Sequence, residues 1–460
     1  MTTDGKGNSG AQSLGQMANH PTVRKYYSSS GREKSELSAI DTEWLRALCL
    51  DAGADDVGFV DLEHAELGSE RERILQCWPR TRSLISLVVR MNREDVRNPA
   101  RSLANTEFHH AGDEMNDLSR GIVRRLEGEG IRAVYITMGF PMEIQHYPNR
   151  RPWVVSHKLV AVAAGLGHMG IHRSVIHPKF GSFILLGTIL MELPLTTYSQ
   201  PLDYNPCLSC KLCVSACPMG AIAPDGYFNF SACMTHNYRE FMGGFQDWVD
   251  SVVKSSTPEQ FTHRVTPGEN ASMWQSLSFG ANYKAAYCMA VCPAGEDVIG
   301  PFLENRQDFL KDVVKPLQEK KETVYVVPGS DAEGYVTKRY PHKTLRRVHS
   351  GLNPQSIEGF LYGLRIIFQP EKARGLNATY QFRFTGSETL NATVTIKDRR
   401  VTVTRGTTSE SADLIVTADS RAWIKFLANR IYLIWALVTR QIRLYGSPRL
   451  LLEFGRCFVR

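Results

Sequence analysis

The feature that most constrains this chain is a run of four cysteines. Cys207, Cys210, Cys213 and Cys217, followed by Pro218, spell C-x2-C-x2-C-x3-C-P, a spacing that binds iron–sulfur clusters in bacterial proteins. Three thiolates two residues apart reach three irons of one cubane. The fourth, on the turn that ends in proline, faces away and serves another cluster. The missing thiolates should come from downstream, where Cys233 is followed by Cys288 and Cys292, the last just before Pro293. On that logic Cys292 closes the cluster of Cys207, Cys210 and Cys213, while Cys217, Cys233 and Cys288 hold the second. A complete second motif would carry a cysteine at position 285, where this chain has Ala285. The second cluster is therefore expected to be [3Fe–4S], or [4Fe–4S] finished by a non-cysteine ligand such as His236 or a water. A zinc site is the alternative, although zinc pairs do not need the third and fourth cysteines in this register.

Composition narrows the setting. The 460 residues suffice for two to four domains, and 43% hydrophobic with 22% charged residues is ordinary for a soluble globular chain. The net charge of +7 is mild, so a strong nucleic-acid footprint is not indicated and nucleic acid is an unlikely partner. No apolar run reaches the roughly 18 residues of a membrane span. "IYLIWALV", Ile431 to Val438, lies between Arg430 and Arg440 and reads as a buried helix. The N-terminus shows no secretory or twin-arginine signal, so the expected location is cytoplasmic. Reducing conditions there disfavour disulfides. Cys49, Cys77 and Cys457, isolated in apolar surroundings, read as core thiols.

Residues 1–37 read as a flexible leader. From Ser38 to about 200 helical and strand patterns alternate, which predicts an α/β core. "DTEWLRALCLDAG" places Trp44, Leu45, Leu48 and Cys49 on one helical face, with Gly53 as its cap. Residues 201–300 hold the cysteine module, and 301–353 complete the core and form a linker. From 354 the texture changes: Tyr380, Phe382 and Phe384 alternate with polar residues, as do Leu390, Ala392, Val394 and Ile396. This period of two predicts antiparallel strands with one buried face in a separate α+β domain, 354–460.

"AAGLGHMG", Ala163 to Gly170, contains G-x-G-x-x-G. A dinucleotide site needs a strand before these glycines and a helix after them. The preceding "SHKLVAVAA" reads as helix capped by Gly165, and Pro178 and Gly181 leave no room for a long helix afterwards. The context argues against a dinucleotide.

The stretch "AGLGHMGIHRSVIHPKFGSFILLGTILMELPL" and the cysteine run after it resemble the cobalamin-dependent iron–sulfur reductases, a group that includes epoxyqueuosine reductases and reductive dehalogenases. The resemblance covers roughly 38–345. It implies an α/β cobalamin-binding reductase core with an inserted two-cluster ferredoxin-like module. It also implies a base-off cobalamin lined by His172, Val175, His177, Leu186 and Thr235, and an external low-potential donor of the ferredoxin or flavodoxin type. Family epoxyqueuosine reductases carry an acid seven residues before a basic residue at this point; here the pair is Arg151 and Lys158, and an arginine stays protonated. Reductive dehalogenases pair a tyrosine with a basic residue, which implies Tyr147, with Tyr135 in reserve, and Lys158 as the catalytic pair. Residues 355–460 resemble the sterol-carrier-protein-like domain through "ATYQFRFTG", "VTIKDRRVTV" and "RLYGSPRLLLEF". Together these imply reductive dehalogenation or deoxygenation of a hydrophobic small molecule. The alternatives are an electron-transfer protein fused to a lipid-binding domain, and tRNA modification of the epoxyqueuosine reductase type.

Overall fold

The computed structural model describes residues 17, 19–29, 38–139, 142–145, 151–203, 205–407 and 411–459. Its first sheet joins β1 (Asp56–Asp61), β2 (Ser83–Arg90), β3 (Ala133–Ile136) and β6 (Ile184–Met191) in the order β1-β2-β6-β3. All three pairings are antiparallel, so the helix–strand alternation does not build the parallel sheet such a pattern often signals. Alternate side chains on β2 serve two cores: Ile85, Leu87 and Val89 enter one, Leu84 and Val88 the other. The 28-residue helix Arg101–Gly128 covers the first face. Gly187 lets it approach, because a Cβ there would collide with Met115. The short helix His157–Ala163 covers the second face.

That short helix answers the glycine question. It ends where the sequence places its cap, with Gly165 at φ +69°. The next elements are β4 (His168–Met169) and β5 (Val175–Ile176), a two-stranded hairpin rather than a helix. A side chain at Gly165 would strike Gln200, and one at Gly167 would strike Ile176. These glycines serve close backbone contact.

The cysteine loops dock on the core through backbone. Glu296 N–H donates to Pro178 O (2.8 Å) and Asp297 N–H to Lys179 O (3.0 Å). Gly181 (φ +63°) and Gly295 (φ +118°) meet there with no space for a Cβ on either. β7 (Thr323–Val326) and β8 (Thr344–Arg347) form a small parallel pair beyond the module.

The C-terminal sheet has the order β11-β10-β9-β12-β13, built from β9 (Ala378–Thr385), β10 (Leu390–Lys397), β11 (Arg400–Arg405), β12 (Leu414–Asp419) and β13 (Ile442–Gly446). Only β9 and β12 run parallel. Tyr380, Phe382 and Phe384 share the buried face with Ala392, Val394 and Ile396, as their period requires. Trp423 closes that face, its ring 5.4 Å from Phe360 and 5.6 Å from Phe382.

Several expectations are corrected. Within the expected leader, Pro21–Ser29 forms a helix. Trp44 is 40% exposed, because in the helix Thr42–Asp51 it is Leu45 and Cys49 that face the core. Cys77 is exposed, whereas Cys49 and Cys457 are buried. The apolar run near Ile431 is not a buried helix: it folds as Leu433–Val438, with Tyr432, Ile434, Trp435 and Val438 facing solvent.

Candidate iron–sulfur site

The two halves of the cysteine module are built alike. Lys211 adopts a left-handed conformation (φ 56°) and starts the helix Leu212–Ala216, which places Cys213 and Cys217. Ala286, also at φ 56°, starts the helix Tyr287–Ala290, which places Cys288 and Cys292. The helices pack together. Left-handed backbone costs a non-glycine residue about 1–2 kcal/mol, and it appears at the same step of both loops. In this correspondence Ala285 occupies the place of Cys210. Ala285 is buried, and Asn237 Oδ1 accepts both its N–H (3.0 Å) and that of Ala286 (2.8 Å). Asn237 thus shapes the second loop, a role its sequence context did not disclose.

Cys207, Cys210, Cys213 and Cys292 line one cavity with His172 and Ile176, which is the grouping expected for the first cluster. Cys217, Cys233 and Cys288 lie near one another, each pair close enough for one negative charge to oppose ionisation of the other, and Cys288 also stands near Cys213 and Cys292. Burial raises the thiol pKa of Cys213, Cys217, Cys233 and Cys292, and pushes Cys288 up to about 12. Buried thiols of this kind become thiolates only when a cation binds them. Among the described residues no group of three or more His, Cys, Asp or Glu side chains closes on a point suited to a single metal ion. Four cysteines around one cavity, three of them from the C-x2-C-x2-C-x3-C-P run, fit a polynuclear cluster; zinc sites have no need of the third and fourth cysteines at this spacing.

His236 does not turn toward the second thiol group. Its Nδ1 accepts the Tyr325 N–H (3.4 Å) and its ring stacks on Tyr325. Burial, helped by Lys284 and Lys343, lowers its pKa to about 3. With Nδ1 accepting, Nε2 carries the proton, and it is buried without a partner. His236 borders a cavity of ≈520 Å³ shared with Arg101, Asn105, His109, Lys284 and Lys320. Arg101 Nε and Nη2 are likewise buried and unpartnered.

The other predicted residues scatter. His172 Nδ1 accepts the Ser174 N–H (3.0 Å), so Nε2 donates to Ser182 Oγ (3.1 Å), whose hydroxyl in turn bonds Cys292. Burial, with Lys158 adding to it, lowers the His172 pKa to about 4. His177 donates to Asp56 (2.9 Å), accepts the Lys179 N–H and stacks on Phe180. Val175 and Leu186 are packed with Phe180, Ile184 and Leu190 in one core. Both histidines have their ring nitrogens engaged and both aliphatic chains are core, so none of the four is poised as a metal ligand; a base-off corrinoid would need them only as lining. Thr235 is buried with Oγ1 unpartnered. Tyr147 lies outside the described residues, and Tyr135 is half-buried on β3 opposite Ile189.

Arg151 is fixed by Glu70, one of whose oxygens accepts from Arg151 Nη2 (2.6 Å) and from the Ser156 N–H (2.8 Å). Nothing in the sequence marked Glu70, which is buried at the start of the helix Glu70–Cys77. Lys158 donates to Arg173 O (2.5 Å). It keeps solvent-accessible surface, yet its amine lies deep enough for burial to lower its pKa, while Cys288 and Cys233 nearby pull the other way. The amine therefore stands near the second thiol group.

Residues 201–223 match the 4Fe-4S binding domain and residues 368–459 the SCP-2 sterol transfer family. These matches and the thiol geometry define the class: a protein with a 4Fe-4S binding segment and an appended sterol-transfer-type domain. The chain is 27% identical to Escherichia coli epoxyqueuosine reductase over 191 residues, covering 40% of this chain and 47% of that one. It spans less than half the length of the curated relatives it matches. Solved structures similar to it include an epoxyqueuosine reductase with a tRNA-Tyr stem loop (16% identity, TM-score 0.35, 60% of this chain and 78% of that one). Another is a reductive dehalogenase linked to B12-dependent dehalogenation (16%, TM-score 0.35, 54% and 37%). Over part of its length the chain is thus similar in sequence to the epoxyqueuosine reductases.

One expectation is overturned by these relatives. Nucleic acid was expected to be an unlikely partner on the strength of a mild net charge, but the named relatives are epoxyqueuosine reductases, one of them solved with a tRNA stem loop. Net charge reports the average surface, and a local binding face need not alter it.

Proposed function

We propose that this chain is an iron–sulfur reductase that deoxygenates its substrate in the manner of the epoxyqueuosine reductases, with a tRNA-borne epoxide as the first candidate. The observation that carries the reading is the clustering of the seven module thiols with the Lys158 amine beside Cys233 and Cys288. In this reading Cys207, Cys210, Cys213 and Cys292 hold a [4Fe–4S] cluster, and Cys217, Cys233 and Cys288 a second cluster, [3Fe–4S] by its count of thiolates. Lys158, with its pKa lowered by burial, holds a proton at Nζ ready for the substrate. Arg151, tied to Glu70, stands where family members have an acid, so it orients an anionic group rather than donating a proton. The cobalamin implied by the resemblance would be lined by His172, Val175, His177, Leu186 and Thr235 and would supply the reducing metal when bound. No step is assigned to it.

The test is anaerobic reconstitution with iron and sulfide, with and without cobalamin, followed by dithionite-driven turnover of epoxyqueuosine-containing tRNA. Queuosine formation supports the reading; reducible clusters with no turnover of that tRNA reject it. A second reading, dehalogenation or deoxygenation of a hydrophobic small molecule, is favoured by the sterol-transfer-type domain and by Arg151 in place of the acid. Turnover of halogenated aromatics but not tRNA selects it.

A further inference from the structure

The C-terminal domain carries an apolar surface that its own fold leaves open. In the helix Leu433–Val438 the inner positions are filled in helical register: Ala436 is fully buried, and Leu433 and Leu437 pack on the domain core. The outward positions are just as apolar. Ile434 is 76% exposed, Trp435 60% and Val438 71%, and Tyr432 at the N-cap is 86% exposed. On β13, which packs against this helix, Tyr445 is also exposed. A helix apolar all round is stable in water only if something covers its outer face.

Charge identifies what covers it. Between Asp419 and Glu453 there is no acidic residue, while Arg421, Lys425, Arg430, Arg440, Arg443 and Arg449 are all exposed. A second copy of the chain would bring these cations face to face. Nucleic acid would satisfy the arginines but offer Ile434 and Val438 no apolar medium. A bilayer with anionic headgroups offers both, and tryptophan and tyrosine beside arginine is the side-chain mixture that settles at its interface.

We propose that the face formed by Tyr432, Ile434, Trp435 and Val438, ringed by Arg430, Arg440 and Arg443, docks the protein on anionic lipid membranes. Insertion is shallow: the helix has six residues, and no described helix is long and apolar enough to cross a membrane. The surface would let the sterol-transfer-type domain meet its ligand where apolar molecules concentrate, and it does not depend on the reductase chemistry.

The experiment is vesicle flotation of the full chain. It should float with phosphatidylcholine vesicles containing phosphatidylserine and not with phosphatidylcholine alone, and salt should release it. Ile434→Asp or Trp435→Asp should cut the bound fraction at least about tenfold, as should the pair Arg440→Glu and Arg443→Glu. The thermal midpoint should not move, since these side chains project into solvent. Failure to float, equal flotation on neutral vesicles, or full binding by Trp435→Asp overturns the proposal. So does sedimentation showing that Trp435→Asp converts a dimer to a monomer.

Discussion

The two thiol groups share a backbone turn and differ in how their ligands are supplied: Cys207 belongs to the same loop as Cys210 and Cys213, whereas Cys233 comes from the separate helix Phe230–His236. In the first, Cys210 sits a step before a left-handed residue and completes a set of four with Cys207, Cys213 and Cys292 around one cavity. In the second, the equivalent step is Ala285, whose N–H is taken up by Asn237. The loop kept its shape after the ligand position became a methyl group, so its geometry depends on backbone hydrogen bonds as well as on any metal. The incomplete group is also the one beside Lys158. An iron held there without a fourth protein thiolate would be open to a ligand from solution.

The comparison can be broken most directly by removing one thiol from each group. Cys213→Ala should lose about four irons per chain and the paramagnetic signal of a reduced cubane. Cys233→Ala should lose about three and leave that signal. Equal losses from both variants would mean a single shared centre. Next in size, Lys158→Met should lower turnover by roughly 10²- to 10⁴-fold with iron content unchanged; a simultaneous loss of iron would make Lys158 a support of the cluster instead. Ala285→Cys should then raise the iron content by about one and replace the signal of an oxidised three-iron cluster with that of a four-iron one. An unchanged signal there would show that the second group already completes its cluster by another route.

The smallest effect is on acid stability, and it also differs between the two groups. His172, beside the first group, has its pKa lowered to about 4, and His236, following the second, to about 3. Each binds its proton more weakly folded than unfolded. Their stabilising contribution is therefore present above an unfolded pKa of about 6.5 and is lost progressively as pH falls through 4 for His172 and 3 for His236. The thermal midpoint should fall below pH 6.5, and His236→Gln should flatten the lower part of that fall. A midpoint flat from pH 7 to 4 would show that neither ring is buried neutral.

How much of this could be read in advance depended on whether short-range pattern carried the information. The β9 and β10 faces were legible because Tyr380, Phe382 and Phe384 alternate at the spacing that burial on one face demands. The first thiol group was legible because three of its ligands lie within seven consecutive residues. Cys292 and Cys288 could be assigned only by analogy between halves, which the twin left-handed starts at Lys211 and Ala286 support. Trp44, Cys77 and the Ile431 run were misread because hydrophobicity says that a side chain prefers shelter, not that the fold provides it. Glu70, Ser182 and Asn237 left no signal at all: each is an ordinary polar residue whose role depends on a partner dozens of residues away. His236 was read as a possible ligand to make up for Ala285, but its ring packs on Tyr325.

The glycine contact at Gly181 and Gly295 has a practical consequence. Two backbones locked at touching distance leave no hinge between the strands of the core and the loops that carry the sulfurs. Electrons crossing from one part to the other would travel a fixed length in every turnover, as along a soldered joint, and their rate would be set by energy levels rather than by waiting for a domain to swing.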